Sequence, residues 1–140
     1  MSEERTPIGP TTLYARCKNE LRLALEAAAR QEGFTFAWMR VFYPYGPGEH
    51  PSRLCSSVIQ KLRRGGTLEL KTPHSRKDYI YIEDLAAAFM TVVESRCAGA
   101  VNLGTGQGIS VKEVATAIGR LLGREELVRE AAQPVPDPFP

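Results

Sequence analysis

Tyr14 and Lys18 are the residues whose types and spacing could do chemistry, and both lie in the stretch TLYARCKNEL. On a helix, residues four apart project from one face, with their Cβ atoms about 5–6 Å apart. An ammonium held beside a phenol stabilises the phenolate form, so such a tyrosine can exchange a proton with a substrate hydroxyl near neutral pH. The same spacing also occurs by chance on a solvated helix face, and the surrounding sequence must decide between the two readings.

Hydrophobic periodicity and turn residues predict an α/β chain around this pair. The segment 43–52 is predicted to be a loop, because YPYGPGEHPS contains three prolines and two glycines. Helices are expected at 12–32, 53–62, 85–94 and 111–122, and strands at 34–42, 67–70, 78–82 and 100–104.

The ends of these helices carry recognisable signals. Ser110 and Glu113 have the spacing of a capping box at the start of the last helix. Gly33 follows the first helix and Gly65 follows the second, where glycine is the preferred residue. The last helix is therefore the element that the sequence marks best.

Composition and charge exclude several classes of protein. The chain has 140 residues, of which 43% are hydrophobic and 24% charged, with a net charge of +2. That charge is too small to indicate a nucleic acid or an acidic membrane surface as partner. No apolar run reaches the ~18 residues of a membrane span and the N-terminus lacks the apolar core of a signal peptide, so a cytoplasmic location is expected. The three widely spaced cysteines suggest neither a disulfide framework nor a metal site.

Four sequence blocks occur together in a characteristic order: PTTLYARCKNELRLALEA, RVFYPYGPGEHPSRL, RKDYIYIEDLAAAF and VNLGTGQGISVKEVATAIGRLLG. Taken together, they resemble the C-terminal half of an extended short-chain dehydrogenase/reductase. More narrowly, residues 3–123 resemble the NAD-dependent epimerase/dehydratase family, which acts on nucleotide-diphosphate sugars. Each block alone is weak evidence, whereas their order and spacing together are specific.

The resemblance implies roles for the first pair and for one cofactor-side residue. Tyr14 would be the catalytic acid/base, and Lys18 would hold the nicotinamide ribose while favouring the phenolate. The family commonly has Arg-x-x-Asn-x-Tyr-Gly-Pro where this chain has RVFYPYGP. Tyr43 therefore stands in place of the asparagine, and the cofactor-side or substrate-side contact of that position is in question.

The resemblance also implies a phosphate site for the sugar nucleotide. The family usually places an arginine before the aspartate of the block SRKDYIYIED, and here Lys77 occupies that position. A lysine binds phosphate as a point charge without the fork of a guanidinium, so Arg76 is an alternative ligand. Arg53 is a further phosphate-side candidate. Surface charges with no ligand remain the competing interpretation for all three residues.

The glycine-rich stretch NLGTGQGIS follows a predicted strand, as a dinucleotide-binding loop would. Its glycines give G-x-G-x-G rather than G-x-G-x-x-G, and no acidic residue closes a second strand about 20 residues later. We interpret it as a structural turn that leads into a capped helix.

Added to the α/β pattern, the resemblance implies the C-terminal part of a Rossmann-like NAD(P)-binding fold with the small substrate-binding subdomain, the first βαβ units being absent. Residues 1–125 would form this portion, and residues 126–140 a proline-rich extended or disordered tail. A chain of this kind would be a fragment without the dinucleotide loop, marginally folded or associating through exposed apolar surface.

Two functions remain open from the sequence. The first is an NAD(P)-dependent nucleotide-sugar epimerase, dehydratase or reductase, with the chain inactive by itself. The second is a non-catalytic sugar-nucleotide-binding or interaction module. The resemblance implies NAD or NADP as cofactor, a nucleotide-diphosphate sugar as ligand and a homodimer in the full-length family. The sequence does not distinguish the two cofactors, the sugar or the reaction.

Overall fold

The computed structural model describes residues 2–3 and 8–137. The chain divides into two compact units, which we call unit 1 and unit 2. Unit 1 comprises Met1–Val41 and Glu83–Leu103, and unit 2 comprises Phe42–Ile82 and Gly104–Pro140. The last predicted tail residues, 138–140, lie outside the described part of the chain.

Unit 1 begins with the long helix α1, Leu13–Glu32. Thr12 caps its N-terminus by accepting a hydrogen bond from the Ala15 amide at 3.1 Å. Gly33 ends it in the left-handed conformation, at φ 74°, which costs a residue without a Cβ little energy. The predicted bounds of this helix are therefore confirmed.

The rest of unit 1 is a short parallel sheet and a second helix. Strand β1, Ala37–Val41, pairs in parallel with the later strand β5, Gly99–Leu103, and Ala37 lies opposite Gly99. Helix α3, Ile82–Glu94, belongs to unit 1 except for its first residue. It begins three residues earlier than predicted, directly at the end of a strand. The prediction that a single strand fills 34–42 is wrong at its start, because pairing begins at Ala37.

Unit 2 contains two small sheets. In the first, β2 (Tyr43–Tyr45) pairs in parallel with β4 (Arg76–Tyr81), and β4 pairs in antiparallel with β6 (Gly108–Ser110). In the second, β3 (Leu68–Leu70) and β7 (Val128–Glu130) are parallel. The prediction of a loop is wrong for residues 43–45, which form the edge strand β2. Pro44 has no backbone N–H to donate, and an edge strand tolerates this because only one of its sides is paired.

Two helices of unit 2 enclose its core. Helix α2 spans Leu54–Arg63 and helix α4 spans Val111–Leu121, which confirms the predicted positions. The predicted capping box is present, with Ser110 and Glu113 exchanging hydrogen bonds at the start of α4. A 3₁₀ turn at Glu125–Leu127 then leads into β7, so residues 128–130 of the proline-rich segment form a strand. The buried centre of this unit consists of Val58, Leu62, Leu70 and Ala115.

Candidate functional site

The pair on α1 has the geometry expected from its spacing. Because Thr12 fixes the start of the helix, Tyr14 and Lys18 lie one turn apart on the same face. The Lys18 Nζ atom is 5.7 Å from the centre of the Tyr14 ring. The Tyr14 side chain is 73% exposed, so its hydroxyl is accessible to a ligand. The pair can therefore present a phenol and an ammonium together to one molecule.

A second candidate site is a cavity within unit 2, which we call the Lys77 cavity. Its volume is ≈ 400 Å³, within the range of pockets that hold small organic ligands. It brings together three of the residues singled out from the sequence, Tyr43, Arg53 and Lys77. It is also lined by Glu49, Cys55, Ser75, Tyr79 and Asp137.

Arg76 does not line this cavity, although it precedes Lys77 in the chain. Successive residues of a strand project from opposite faces of the sheet, and both residues lie on β4. The Arg76 guanidinium donates a hydrogen bond to the Gly108 carbonyl and lies 3.6 Å from the Glu113 carboxylate. The structure therefore separates the two candidate phosphate ligands, and only Lys77 lies with Arg53.

Lys77 is held by groups that lie far apart in the sequence. Its Nζ atom donates to the Asp137 carboxylate at 2.7 Å and lies 5.6 Å from the centre of the Tyr43 ring. The same carboxylate oxygen accepts a hydrogen bond from the Ser75 hydroxyl at 2.5 Å. The side chains of Lys77 and Asp137 are only 12% and 17% exposed. Sequence reasoning missed Asp137, because it stands in a proline-rich segment without a motif to mark it.

Two further groups that line the cavity stay protonated near neutral pH. Burial is the largest influence on the Tyr79 phenol and raises its pKa to about 12, with the neighbouring Cys55, Tyr43 and Asp137 adding to the effect. Burial followed by the Glu49 carboxylate raises the pKa of the Cys55 thiol to about 11. Tyr79 is thus a neutral hydroxyl, and Cys55 is a thiol rather than a nucleophilic thiolate.

Arg53, which lines the cavity, stands at the N-terminus of α2, and the carboxylate of Glu49 binds to the first turn of this helix. Arg53 is the N-cap residue, and its side chain makes no capping bond. Instead, the Glu49 carboxylate accepts hydrogen bonds from the amide and the hydroxyl of Ser56, both at 3.1 Å. A carboxylate at this position is stabilised by the positive end of the helix dipole.

The backbone amides of the glycine-rich turn after β5 bind a carboxylate of the chain itself. Asp78 accepts hydrogen bonds from the Thr105 amide at 2.8 Å, the Thr105 hydroxyl at 2.7 Å and the Gly106 amide at 2.9 Å. A Cβ at Gly104 would overlap the Asp78 carboxylate and the Phe42 ring. The amides that a phosphate would need are therefore bound to Asp78, as the interpretation of a structural turn requires.

Comparison with known proteins identifies the class to which this fold and these residues belong. The family model of the NAD dependent epimerase/dehydratase family matches residues 1–104. The chain belongs to this family, and the resemblance read from the sequence is confirmed.

Individual relatives are nucleotide-sugar enzymes. The UDP-glucose 4-epimerase of Bacillus subtilis is 31% identical over 145 residues, covering 87% of this chain and 43% of the relative. The structure of MoeE5 in complex with UDP-glucuronic acid and NAD is 30% identical, with a TM-score of 0.77 over 98% of this chain and 47% of that one. The UDP-glucose 4-epimerase of Thermus thermophilus in complex with NAD is 25% identical, with a TM-score of 0.78 over 96% of this chain and 46% of that one.

These matches also define how much of a relative the chain represents. It spans between 19% and 43% of the length of six of the curated relatives that it matches. The predicted α/β fold, corresponding to part of a Rossmann-like enzyme, is confirmed by the structural matches. Among the described residues, no helix combines the length and the apolar character needed to cross a membrane.

Proposed function

We propose that this chain provides the proton-transfer pair and the sugar-nucleotide pocket of an NAD(P)-dependent nucleotide-sugar epimerase, dehydratase or reductase. The observation that carries the proposal is the position of Lys18 over the Tyr14 ring on an exposed helix face, in a chain of this family. Because the relatives are more than twice as long, the activity of a whole enzyme is proposed for this chain only in combination with further residues.

In this proposal, Tyr14 is the acid/base and Lys18 orients the cofactor. The Tyr14 phenolate would take the proton from a sugar hydroxyl as a carbonyl forms, and the resulting Tyr14 hydroxyl would return that proton when the carbonyl is reduced. The Lys18 ammonium would donate to hydroxyls of the nicotinamide ribose and stabilise the negative charge on the Tyr14 oxygen. NAD or NADP, when bound, supplies the hydride acceptor.

The described residues fit the nicotinamide-ribose end of that cofactor better than its phosphates. Tyr14 and Lys18 are exposed and adjacent, as contacts to the nicotinamide ribose would require. Tyr43, the other proposed cofactor-side residue, instead lines the Lys77 cavity, so we assign it to the sugar-nucleotide side. The glycine-rich turn at 104–108 would not cradle the cofactor phosphates, because Asp78 already binds its amides.

For the sugar nucleotide, the Lys77 cavity supplies groups of the appropriate chemistry. Lys77 and Arg53 are cations suited to a diphosphate, and a lysine among partly buried neighbours binds phosphate as a concentrated point charge. Tyr43 and Tyr79 have ring centres 5.9 Å apart and offer aromatic surface and hydroxyls. Arg76 would support β6 rather than bind the ligand.

A non-catalytic sugar-nucleotide-binding module is the second candidate. It is favoured by the glycine-rich turn at 104–108, whose amides already bind Asp78. Without a phosphate cradle among its described residues, the chain would bind a dinucleotide more weakly. Both proposals share the Lys77 cavity and differ only in whether Tyr14 and Lys18 act on a bound cofactor.

Self-association through α1 is part of the first proposal. Four leucines of this helix are at least 36% exposed, and a second copy of the chain would remove them from water: Leu13, Leu21, Leu23 and Leu25. A second copy of the chain is the partner that the family resemblance implies.

Thermal unfolding of the purified chain with UDP-glucose, NAD or both tests the proposal. At about 100 times its Kd, a ligand adds roughly 2.7 kcal/mol to the free energy of unfolding. We expect UDP-glucose to raise the midpoint and Lys77→Ala to abolish that rise, while Lys61→Ala, an exposed lysine of α2, retains it. A further rise with NAD that is lost in Lys18→Ala supports the enzyme, and its absence means that this chain does not retain the cofactor by itself. No rise with UDP-glucose would contradict both.

A further inference from the structure

The Lys77 ammonium is already paired with a carboxylate of the chain itself. Lys77 donates to Asp137 at 2.7 Å, and both side chains are largely buried. Resting on the proposed function, we infer that Asp137 is an internal competitor of the ligand phosphate: its carboxylate occupies the anion subsite and leaves Lys77 when an anion binds.

The contacts of Asp137 are those that a phosphate oxygen would make. One carboxylate oxygen accepts both the Lys77 ammonium and the Ser75 hydroxyl, at 2.7 and 2.5 Å. Two donors that converge on one anionic oxygen define a subsite for an anion, whichever molecule supplies it. A phosphate oxygen at this point would receive the same two hydrogen bonds, and its remaining oxygens would lie in a cavity that Arg53 also lines.

The charge balance of the cavity explains why the carboxylate must leave. Its lining contains two cations, Lys77 and Arg53, and two carboxylates, Glu49 and Asp137. An anionic ligand entering this neutral set would meet Asp137 beside the cation that it needs, and like charges at close range repel. With Asp137 withdrawn, the lining carries a net positive charge that favours a diphosphate.

The segment that carries Asp137 is suited to such a movement. Its backbone is anchored at Ala131, whose amide donates to Leu70 at 3.0 Å, and at Val135, whose amide donates to Lys71 at 2.8 Å. Asp137 lies two residues beyond the second anchor, so its carboxylate can move without disturbing the β3–β7 pairing. The Lys77 ammonium would remain positioned by the Tyr43 ring, 5.6 Å away.

Calorimetric titration of the full chain with inorganic pyrophosphate at low ionic strength tests the inference. Asp137→Asn removes the competing charge while keeping the size of the side chain, so we expect it to bind pyrophosphate roughly three- to tenfold more tightly than the natural chain. Glu126→Gln, an exposed carboxylate of the same unit, is the matched control for the loss of one negative charge, and we expect less than about a twofold change there. Circular dichroism checks that each variant is folded.

The outcomes separate this inference from the proposed function. Tighter binding by Asp137→Asn that is lost again in the double variant with Lys77→Ala supports the competition. Equal or weaker binding by Asp137→Asn, with binding by the natural chain still dependent on Lys77, overturns the competition and leaves the sugar-nucleotide pocket intact. Absence of pyrophosphate binding in every variant overturns both.

Discussion

The two units differ in how they bury apolar surface. In unit 2, Val58, Leu62 and Ala115 are 1%, 0% and 0% exposed and form one cluster. In unit 1, the 20-residue helix α1 has Ala29 as its only buried residue among those described, while Leu13 is 78% exposed. Unit 2 thus has a core of its own. We propose that the α1 face of unit 1 requires a partner surface.

The contrast shows that elements of equal regularity can differ in what stabilises them. Helix α1 has caps at both ends and the ion pairs of Glu26 with Arg22 and Arg30, at 2.9 and 3.0 Å. Helical ion pairs between residues four apart contribute only about 0.3–0.5 kcal/mol each, far less than the burial of a leucine. The proposed sites follow the same division, with an exposed pair on α1 and an enclosed cavity in unit 2.

The largest expected effect is on the core of unit 2. We expect Leu62→Ala to lower the free energy of unfolding by about 2–5 kcal/mol, because it leaves a cavity beside Val58 and Ala115. Leu21→Ala on α1, where the side chain is 47% exposed, should cost less than about 1 kcal/mol. Urea denaturation followed by circular dichroism measures both. Equal losses would break the comparison between the units.

An intermediate effect is expected at the turn that Asp78 holds. Asp78→Asn should cost about 1–2 kcal/mol at neutral pH, since the charged acceptor of three hydrogen bonds is removed. Burial is the largest influence on the pKa of Asp78 and raises it, but the bonds from Thr105 and Gly106 outweigh burial and lower it.

The lowered pKa of Asp78 determines how its contribution to the free energy of unfolding depends on pH. A carboxyl whose pKa is lower in the folded state contributes its full stability above its unfolded pKa of about 4 and loses it as the pH falls through the folded value. The difference between the natural chain and Asp78→Asn should therefore shrink towards pH 3. Denaturation midpoints at pH 7 and pH 3 measure this, and a constant difference would contradict the assignment.

A smaller loss of stability is expected when the N-terminal helix cap of either unit is removed. Ser110→Ala removes a capping box whose serine is 8% exposed, and we expect a loss of about 1 kcal/mol. Thr12→Ala removes the exposed cap of α1 and should cost about 0.5 kcal/mol. The same denaturation assay applies. A larger loss for Thr12→Ala would mean that unit 1 depends on the start of α1 more than its burial indicates.

The smallest effect on stability is expected at the exposed face of α1, where association should change instead. Leu13→Glu replaces a side chain that is 78% exposed, so the free energy of unfolding of the monomer should change by less than about 0.5 kcal/mol. If α1 is a self-association surface, sedimentation velocity should show weaker association for this variant. Glu20→Gln on the same helix is the control. Unchanged association would exclude Leu13 from the interface.

The sequence determined the elements whose signals are local. Thr12 and Gly33 mark the two ends of α1, and Ser110 with Glu113 marks the start of α4, because capping depends on residues within one turn of the helix end. The spacing of Tyr14 and Lys18 likewise fixed their common face, since an uninterrupted helix allows no other arrangement. The family was also readable, from the order of four motif blocks.

Only the tertiary structure decided the features that depend on distant partners. Strands β2, β6 and β7 have three residues each and become strands because β4 and β3 supply the pairing, which no local pattern reveals. The resemblance offered Lys77 and Arg76 as alternative phosphate ligands, and the two faces of β4 separated them. Asp137 reaches Lys77 across 60 residues of chain. Its charge matters there because a buried ion pair depends on which groups folding brings together, and sequence spacing does not record that.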